Sequence, residues 1–206
     1  MATATIEVSE TEPAVARLFR ISLDTYNQMG EAGLLTPSDR VVLLDGILVK
    51  KMTKGPRHVF ATYQTMKLLT DRLPAGYHSK TEAPVELRHG PEGDSAPEPD
   101  VTVLRGDATD YRDHHPVAAD VLLVVEVADS SLRLDRRGLR RYAWFAIPTV
   151  WIINLRNGNV EVYTDPSGPT DDPSYATKAT RTIGGHLNLT LNDQVVVGLA
   201  VADLLD

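Results

Sequence analysis

The stretch VLLVVEVADSSLRLDRRGLRRYAWFAIPTVWIINL, residues 121–155, decides the fold of this 206-residue chain. Its first eight residues (121–128) are apolar except for Glu126, and such a run is typical of a central strand that is covered on both faces. Asp135 can cap a helix that runs to about Ala146, and residues 150–155 form the next apolar run. Because strands and helices alternate along the chain, we predict an α/β fold with a mixed sheet.

Upstream of this stretch, the sequence predicts a hairpin, two helices and two further strands. The run VVLLDGILVKKM (41–52) contains Asp45-Gly46, a dipeptide typical of a tight turn between paired strands. We expect a short helix from Leu23 to about Ala32, and strands near residues 80–87 and at 101–104. A longer helix follows Pro56, and its 3.6-residue period predicts a buried face made of Val59, Tyr63, Met66, Leu69 and Leu73.

The length of the chain favours a single domain, since domains usually hold roughly 100–200 residues. We expect residues 1–16 to be poorly ordered and residues 17–206 to form the domain. Within it, the core is expected at about 19–163 and a C-terminal extension at 164–206, of which residues 165–179 are predicted to be a loop.

The composition excludes several classes of protein. The chain has no cysteine, which removes disulfide scaffolds, thiol nucleophiles and cysteine-ligated metal sites. No apolar run reaches the roughly 18 residues of a membrane span, and the acidic start is unlike a secretory signal. We therefore expect a cytoplasmic protein with no membrane partner.

The net charge of −7 conceals a basic middle, because residues 46–156 hold 16 basic and 14 acidic side chains. Two clusters stand out there. The first is Lys50, Lys51, Lys54 and Arg57, and the second is Arg133, Arg136, Arg137, Arg140 and Arg141. Such clusters either contact a polyanion or are solvated surface.

Two acidic residues point to chemistry. An unpaired carboxylate at Glu126, inside an apolar strand, would cost several kcal/mol, so a basic partner, a hydrogen-bond network or a metal ion must compensate it. Asp100 opens the neighbouring predicted strand directly after Pro99. Two carboxylates at the ends of adjacent central strands form a hard-oxygen site suited to Mg²⁺ or Mn²⁺.

Five segments are informative in combination: LLDGILVKKM (43–52), Gly55-Pro56-Arg57-His58, PEPDVTVLRG (97–106), the 121–155 stretch and VEVY (160–163). In this order they resemble the Uma-type family of putative restriction endonucleases, which belongs to the PD-(D/E)xK nuclease superfamily. The resemblance implies a restriction-endonuclease-like mixed sheet flanked by helices, and phosphodiester hydrolysis in DNA assisted by Mg²⁺ or Mn²⁺. It matches Asp100 to the aspartate of the PD motif and Glu126 to the second acidic residue, and it implies a homodimer as a further expectation.

The chain departs from the superfamily pattern at one catalytic position. The lysine two residues after the second acid is replaced by Ala128, and the following helix contains arginines but no lysine. By spacing, Arg140 is the nearest cation, and Lys51 is a second candidate to replace the lysine. The predicted DNA contacts are His58, near the start of a helix where anions are favoured, and the arginines Arg133, Arg136, Arg137 and Arg141.

Three functions are compatible with these residues. The first is a metal-dependent endonuclease with Asp100 and Glu126 as metal ligands. The second is a nuclease-fold DNA-binding or regulatory protein that lost turnover together with its lysine. The third is another acid-pair hydrolase such as a glycosidase, which the scarcity of aromatic residues near either acid disfavours.

Overall fold

A computed structural model describes residues 18–191 and 194–205, so the predicted poorly ordered segment 1–16 lies outside the described residues. The helices are α1 (Leu23–Glu31), α2 (Pro56–Arg72), α3 (Leu132–Trp144) and α4 (Ala202–Leu205). The strands are β1 (Val41–Leu44), β2 (Ile47–Lys50), β3 (Tyr77–Lys80), β4 (Val101–Arg105), β5 (Val121–Ala128), β6 (Thr149–Asn154), β7 (Asn159–Pro166), β8 (Tyr175–Thr182), β9 (His186–Leu191) and β10 (Gln194–Ala200). Within the described ranges, no helix is both long enough and apolar enough to cross a bilayer.

Six strands form a mixed sheet in the order β3-β4-β5-β6-β7-β8, and two separate hairpins, β1–β2 and β9–β10, lie beside it. The β5–β6 pair is parallel and the other pairs of this sheet are antiparallel. A parallel pair needs a crossover connection, which α3 supplies. The predicted α/β class with a mixed sheet flanked by helices is confirmed.

The central strand β5 is buried on both faces, as its apolar run predicts. Val125 and Val127 face a core that includes Ala61 and Leu69 of α2. Side chains alternate along a strand, so Val124 and Ala128 belong to the opposite core, against α3. Glu126 shares this second face, and its carboxylate therefore points toward α3.

The predicted buried face of α2 is correct over its second half, where Leu69 is buried and Met66 and Leu73 pack against the core, and wrong over its first half. Val59 and Tyr63 are each 55% exposed, whereas the buried positions are His58, Ala61, Thr62, Thr65 and Leu69. The polar groups of this face have partners, because the Thr65 hydroxyl donates a hydrogen bond to the Ala61 carbonyl and His58 pairs with Asp100. A hydrophobic period does not detect a face built from small and hydrogen-bonded residues.

Two further boundaries differ from the sequence-based expectation. The strand expected near residues 80–87 ends at Lys80, and the chain beyond it is irregular apart from single bridges at Glu86 and Leu87. Helix α3 begins at Leu132, three residues before the predicted cap at Asp135. The Asp135 carboxylate instead accepts a 2.6 Å hydrogen bond from the Ser131 hydroxyl within the first turn.

The described residues of the C-terminal segment, 164–191 and 194–205, contribute to the core. The sequence predicts a loop over residues 165–179, but β8 begins at Tyr175 and adds the last strand to the sheet. Leu187 and Leu189 of β9 join the core against α2, together with Val197 and Leu199 of β10. The described part of this segment therefore completes the cover of the central sheet.

An ionic network centred on a buried glutamate joins α3 to β7 of the sheet. Glu161 of β7 is 4% exposed. Its carboxylate accepts a bidentate pair of hydrogen bonds from Arg136 and a 2.7 Å bond from the Tyr163 hydroxyl, and Lys178 lies 3.2 Å away. Although burial opposes it, the Arg136 contact lowers the pKa of Glu161 to about 2.

This shift predicts an acid-sensitive contribution to stability. The folded pKa of Glu161 lies below its ordinary value of 4.5, so the stabilisation is present above about pH 4.5 and is lost as the pH falls toward 2. We expect about 2 kcal/mol of unfolding free energy from this group, after discounting its half-exposed partners. Urea unfolding between pH 7 and pH 3 measures it.

Glu161→Gln removes the titrating group, so its unfolding free energy should fall less between pH 7 and pH 3 than that of the parent. Glu31→Gln, at an exposed helix position, is the matched control and should keep the parental pH dependence. Parallel pH profiles of the parent and Glu161→Gln would contradict the prediction.

Candidate active site

The antiparallel register of β4 and β5 brings the two predicted acidic residues together. Val101 pairs with Val125, so Asp100, one residue before Val101, lies opposite Glu126. The Asp100 side chain is buried, and its Oδ2 accepts a 2.7 Å hydrogen bond from the backbone N–H of Val127. The two carboxylates therefore occupy one end of the strand pair, as the sequence predicts.

Two basic side chains, one just before α2 and one in its first turn, reach Asp100. The Lys54 ammonium lies 2.5 Å from Asp100 Oδ1, and His58 Nε2 lies 3.1 Å from Asp100 Oδ2. Burial raises the pKa of Asp100, but the His58 and Lys54 contacts outweigh burial and hold that pKa below its usual range. Asp100 is thus a charged carboxylate at neutral pH.

Glu126 is in a different electrostatic state. Burial raises its pKa to about 8, with the Asp100 carboxylate and Asp135 adding to the shift. Its Oε1 accepts a 2.7 Å hydrogen bond from the Tyr142 hydroxyl of α3. Two adjacent carboxylates in a low-dielectric site do not both ionise readily, so the negative charge is favoured on Asp100 and the proton on Glu126.

Both acids open into a cleft of about 660 Å³ between the β1–β2 hairpin, α2 and α3. Its acidic lining residues outnumber its permanently charged cations by six to four. The acids are Glu82, Glu98, Asp100, Glu126, Asp129 and Asp135, and the cations are Arg40, Lys51, Lys54 and Arg141. An excess of carboxylates in a polar cleft favours the binding of a cation.

The donor set of this cleft fits a hard divalent cation. Within the described ranges, no three side chains of the metal-ligating types converge on one point. Mg²⁺, however, is usually held by one or two carboxylates together with substrate phosphates and water. The Asp100–Glu126 pair supplies that number of carboxylates, and neutralising their repulsion would allow Glu126 to ionise.

The structure places Lys51 and His58 in the cleft and Arg140 outside it. Lys51 Nζ lies 2.5 Å from Glu98 Oε2. The Arg140 guanidinium pairs with Asp172 and donates to the Asp171 carbonyl. The prediction that Arg140 supplies the missing cation is therefore wrong in geometry, because its side chain is directed to the 171–172 loop rather than to the carboxylates.

The predicted DNA-contacting arginines divide into two groups. Arg136 is bonded to Glu161, and Arg141 is 13% exposed and makes a bidentate pair with Asp45 at 2.6 and 2.9 Å. Both therefore hold the fold together. Arg133 and Arg137 are exposed, and among the described residues neither pairs with an acidic side chain.

Sequence reasoning misses Lys54 and Tyr142, the side chains that bind Asp100 and Glu126 respectively. It places Lys54 only in a basic cluster, and it does not single out Tyr142. The one available signal for Lys54 is its place four residues before His58 in a stretch without acids. Nothing local marks Tyr142, whose role depends on the packing of α3 against β5.

Comparison with solved structures identifies the class of fold. The chain superposes on the crystal structure of a putative nuclease belonging to DUF820 from Anabaena variabilis, with a TM-score of 0.67 and 13% identity. The match covers 90% of this chain and 97% of the other. The fold is therefore nuclease-like.

Residues 23–197 match the model of the Uma2 family, described as a putative restriction endonuclease. The chain belongs to this family, and the resemblance noted in its motifs is confirmed. A search of curated proteins found no match.

The Arg141–Asp45 pair predicts an energetic coupling between α3 and the turn of the β1–β2 hairpin. Asp45 is also bound to Ser95, whose hydroxyl accepts from its backbone N–H at 2.8 Å. Arg141→Lys removes the bidentate geometry and should lower the free energy of unfolding by about 1–2 kcal/mol. In an Asp45→Asn background, Arg141→Lys should lower the free energy of unfolding much less. A double-mutant cycle followed by urea unfolding measures this difference.

Arg137→Lys is the matched control for this cycle, since Arg137 is an exposed arginine one helical turn away. It should change stability by less than about 0.5 kcal/mol. Strictly additive effects of Asp45→Asn and Arg141→Lys would contradict the coupling.

Proposed function

We propose that this protein is a divalent-metal-dependent endonuclease that hydrolyses phosphodiester bonds in DNA. The observation that carries the proposal is the Asp100–Glu126 pair at one end of β4 and β5, in which Asp100 is buried, Glu126 is half-buried and both line a cleft. Membership of the Uma2 family supports the reaction class. The choice of DNA as the substrate and of Mg²⁺ or Mn²⁺ as the ion follows the expectations drawn from the sequence.

Asp100 and Glu126 are the residues that would hold the ion. When bound, Mg²⁺ or Mn²⁺ polarises a phosphoryl oxygen and lowers the pKa of a coordinated water. In the hydrolysis itself, the oxygen of one water forms a bond to phosphorus and the bond from phosphorus to one sugar oxygen breaks. One proton of the water is lost to solvent, and the departing sugar oxygen takes up a proton.

The remaining cleft residues have supporting roles in this proposal. His58 donates to Asp100 Oδ2 and so fixes the orientation of that carboxylate. The Tyr142 hydroxyl does the same for Glu126. Lys51 lines the cleft and places a positive charge on the path of an incoming phosphate, consistent with its predicted catalytic contribution.

Arg133 and Arg137 are the residues of the α3 cluster best suited to contact the DNA backbone. Both guanidinium groups are exposed on α3, the helix whose residues Leu134, Asp135 and Gly138 line the cleft. Their charges are therefore available to phosphates flanking the bond to be cleaved. The homodimer expected from the sequence stays a prediction.

A second function, DNA binding without turnover, is favoured by one observation: Ala128 replaces the usual lysine. The two functions differ in a single assay. Nicking of supercoiled plasmid supports the endonuclease, whereas salt-dependent binding without nicking supports the binding protein.

The carboxylate pair predicts loss of nicking in two conservative variants. Asp100→Asn and Glu126→Gln keep the size of each side chain, and the glutamine carbonyl still accepts from Tyr142. Each should lower the rate of plasmid nicking in Mn²⁺, and then in Mg²⁺, by more than about 100-fold, because a charged metal ligand is removed. Mn²⁺ should raise the melting temperature of the parent and not of the variants.

Asp71→Asn is the control, because Asp71 is an exposed carboxylate at the far end of α2, paired with Lys67. It should nick at the parental rate. Full activity in either Asp100→Asn or Glu126→Gln would show that the two carboxylates are not the site.

The exposed arginines predict a change in the salt dependence of binding. Arg133→Gln with Arg137→Gln should weaken binding to a duplex oligonucleotide. It should also reduce the slope of log K against log salt by about 0.9 for each phosphate that an arginine no longer neutralises. Fluorescence anisotropy between 50 and 200 mM salt, about the range over which counterion release dominates, measures it.

Arg72→Gln removes an exposed arginine at the C-terminal end of α2 and should leave the slope unchanged. Equal slopes for the parent and the double variant would place the DNA on another surface.

A further inference from the structure

One lysine contacts the Asp100 carboxylate directly. The Lys54 ammonium lies 2.5 Å from Asp100 Oδ1 and 3.1 Å from Glu82 Oε1. Its side chain is 30% exposed, so it stands between the buried carboxylate and the open cleft. Among the described residues, Lys54 is the lysine that pairs with Asp100, and the His58 imidazole contacts the other carboxylate oxygen.

The backbone that carries Lys54 is anchored at its two ends and irregular between them. The Lys51 N–H donates to the Arg40 carbonyl at 2.7 Å, and the Val59 N–H donates to the Gly55 carbonyl at 3.1 Å. Residues 51–55 lie between β2 and α2 and belong to neither. The ammonium also has a four-carbon stem, which moves the charge by several ångström without movement of the backbone.

The other cations of the cleft have partners of their own, and Arg40 donates to the Met52 carbonyl. Arg141 is held by both oxygens of Asp45, and Lys51 is paired with Glu98. Arginine in a bidentate pair gives up two hydrogen bonds when it moves, whereas lysine exchanges one acceptor for another. Lys54 is therefore the cation near Asp100 that is best able to change its partner.

Lys54 and a divalent cation would use the same oxygen. Asp100 Oδ2 is occupied by His58 and by the Val127 N–H, which leaves Oδ1 as the oxygen bound by the ammonium. An ion held at Oδ1 would free the three donors of Lys54, and a phosphate oxygen in the cleft is an acceptor of matching charge.

We propose that Lys54 is a catalytic residue of this nuclease, which pairs with Asp100 in the resting protein and with the scissile phosphate in the substrate complex. The inference rests on the proposed endonuclease function. It supplies, from the segment before α2, the positive charge that other members of the superfamily carry at the position of Ala128. It also makes Lys54 a competitor of the metal ion in the absence of DNA.

This dual role predicts opposite effects on metal binding and on cleavage. Lys54→Met should bind Mn²⁺ at least as tightly as the parent, measured by calorimetry, because the competing ammonium is gone. The same variant should nick plasmid about 100-fold more slowly, the scale expected when one preorganised interaction with developing charge is removed. Lys67→Met, which removes a lysine paired with Asp71 on the far part of α2, is the matched control and should change neither.

The absence of cysteine allows the charge to be removed and restored at this one position. Lys54→Cys should be as slow as Lys54→Met. Alkylation with 2-bromoethylamine, in which the thiolate displaces bromide, recreates an ammonium at nearly the length of lysine and should restore most of the rate. Alkylation with iodoacetamide adds a neutral group at the same sulfur and should not.

Each outcome decides the proposal. Lower activity with unchanged or tighter Mn²⁺ binding, together with rescue by aminoethylation alone, supports it. Parental activity in Lys54→Met overturns it while leaving the endonuclease function intact. Weaker Mn²⁺ binding in Lys54→Met, or equal rates for the two alkylated proteins, also overturns it, since Lys54 would then be only a structural partner of Asp100. Absence of nicking by the parent overturns both this proposal and the proposed function.

Discussion

The structure depends on one antiparallel contact, in which the start of β4 meets the end of β5 and sets Asp100 opposite Glu126 in an otherwise apolar layer. A buried carboxylate costs several kcal/mol unless it is paired or protonated, and two neighbours repel each other. The protein resolves this conflict unequally. The contacts of Lys54 and His58 lower the pKa of Asp100, whereas burial raises the pKa of Glu126, which accepts a hydrogen bond from Tyr142.

That unequal solution constrains the elements around the cleft. The phase of α2 is set so that His58 faces inward, which turns Val59 outward even though it is the more apolar of the two. The crossover helix α3 must lie on the face of β5 from which Glu126 projects, because only there does its Tyr142 reach the carboxylate. Arg141 of the same helix pairs with Asp45 in the turn of the β1–β2 hairpin. Helix α3 is therefore bonded both to the hairpin and, through Tyr142, to β5.

The parts of the fold that the sequence predicts are those with strong local signals. The apolar run 121–128 identifies the central strand, and the Asp45-Gly46 pair, with positive φ at both residues, identifies the hairpin. The acidic pair is predictable for the same reason, since an acid in an apolar strand is conspicuous. Strand β8, YATKATRT (175–182), is not predicted, because it lies at the edge of the sheet with most of its residues exposed and lacks an apolar pattern. Lys54 is beyond sequence reasoning for a different reason: its contact with Asp100 spans 46 residues of sequence and starts from an irregular segment, so no periodicity or capping pattern marks it.

The two basic clusters differ in residue type, and this difference suits two roles around the cleft: holding elements together and binding an exchangeable anion. Helix α3 contains arginines and no lysine, whereas the first cluster contains three lysines and one arginine, Arg57, which donates to the Leu155 carbonyl. The planar guanidinium groups of Arg136 and Arg141 each donate two hydrogen bonds to one carboxylate. This bidentate geometry fixes α3 relative to β7 and to the hairpin turn. An ammonium is a point charge without a preferred plane, so it exchanges a carboxylate oxygen for a phosphate oxygen at little geometric cost. In the proposed endonuclease, Ala128 stands where the superfamily that the motifs resemble carries a lysine. This is compatible with catalysis, provided that the positive charge enters from the segment before α2 rather than from β5.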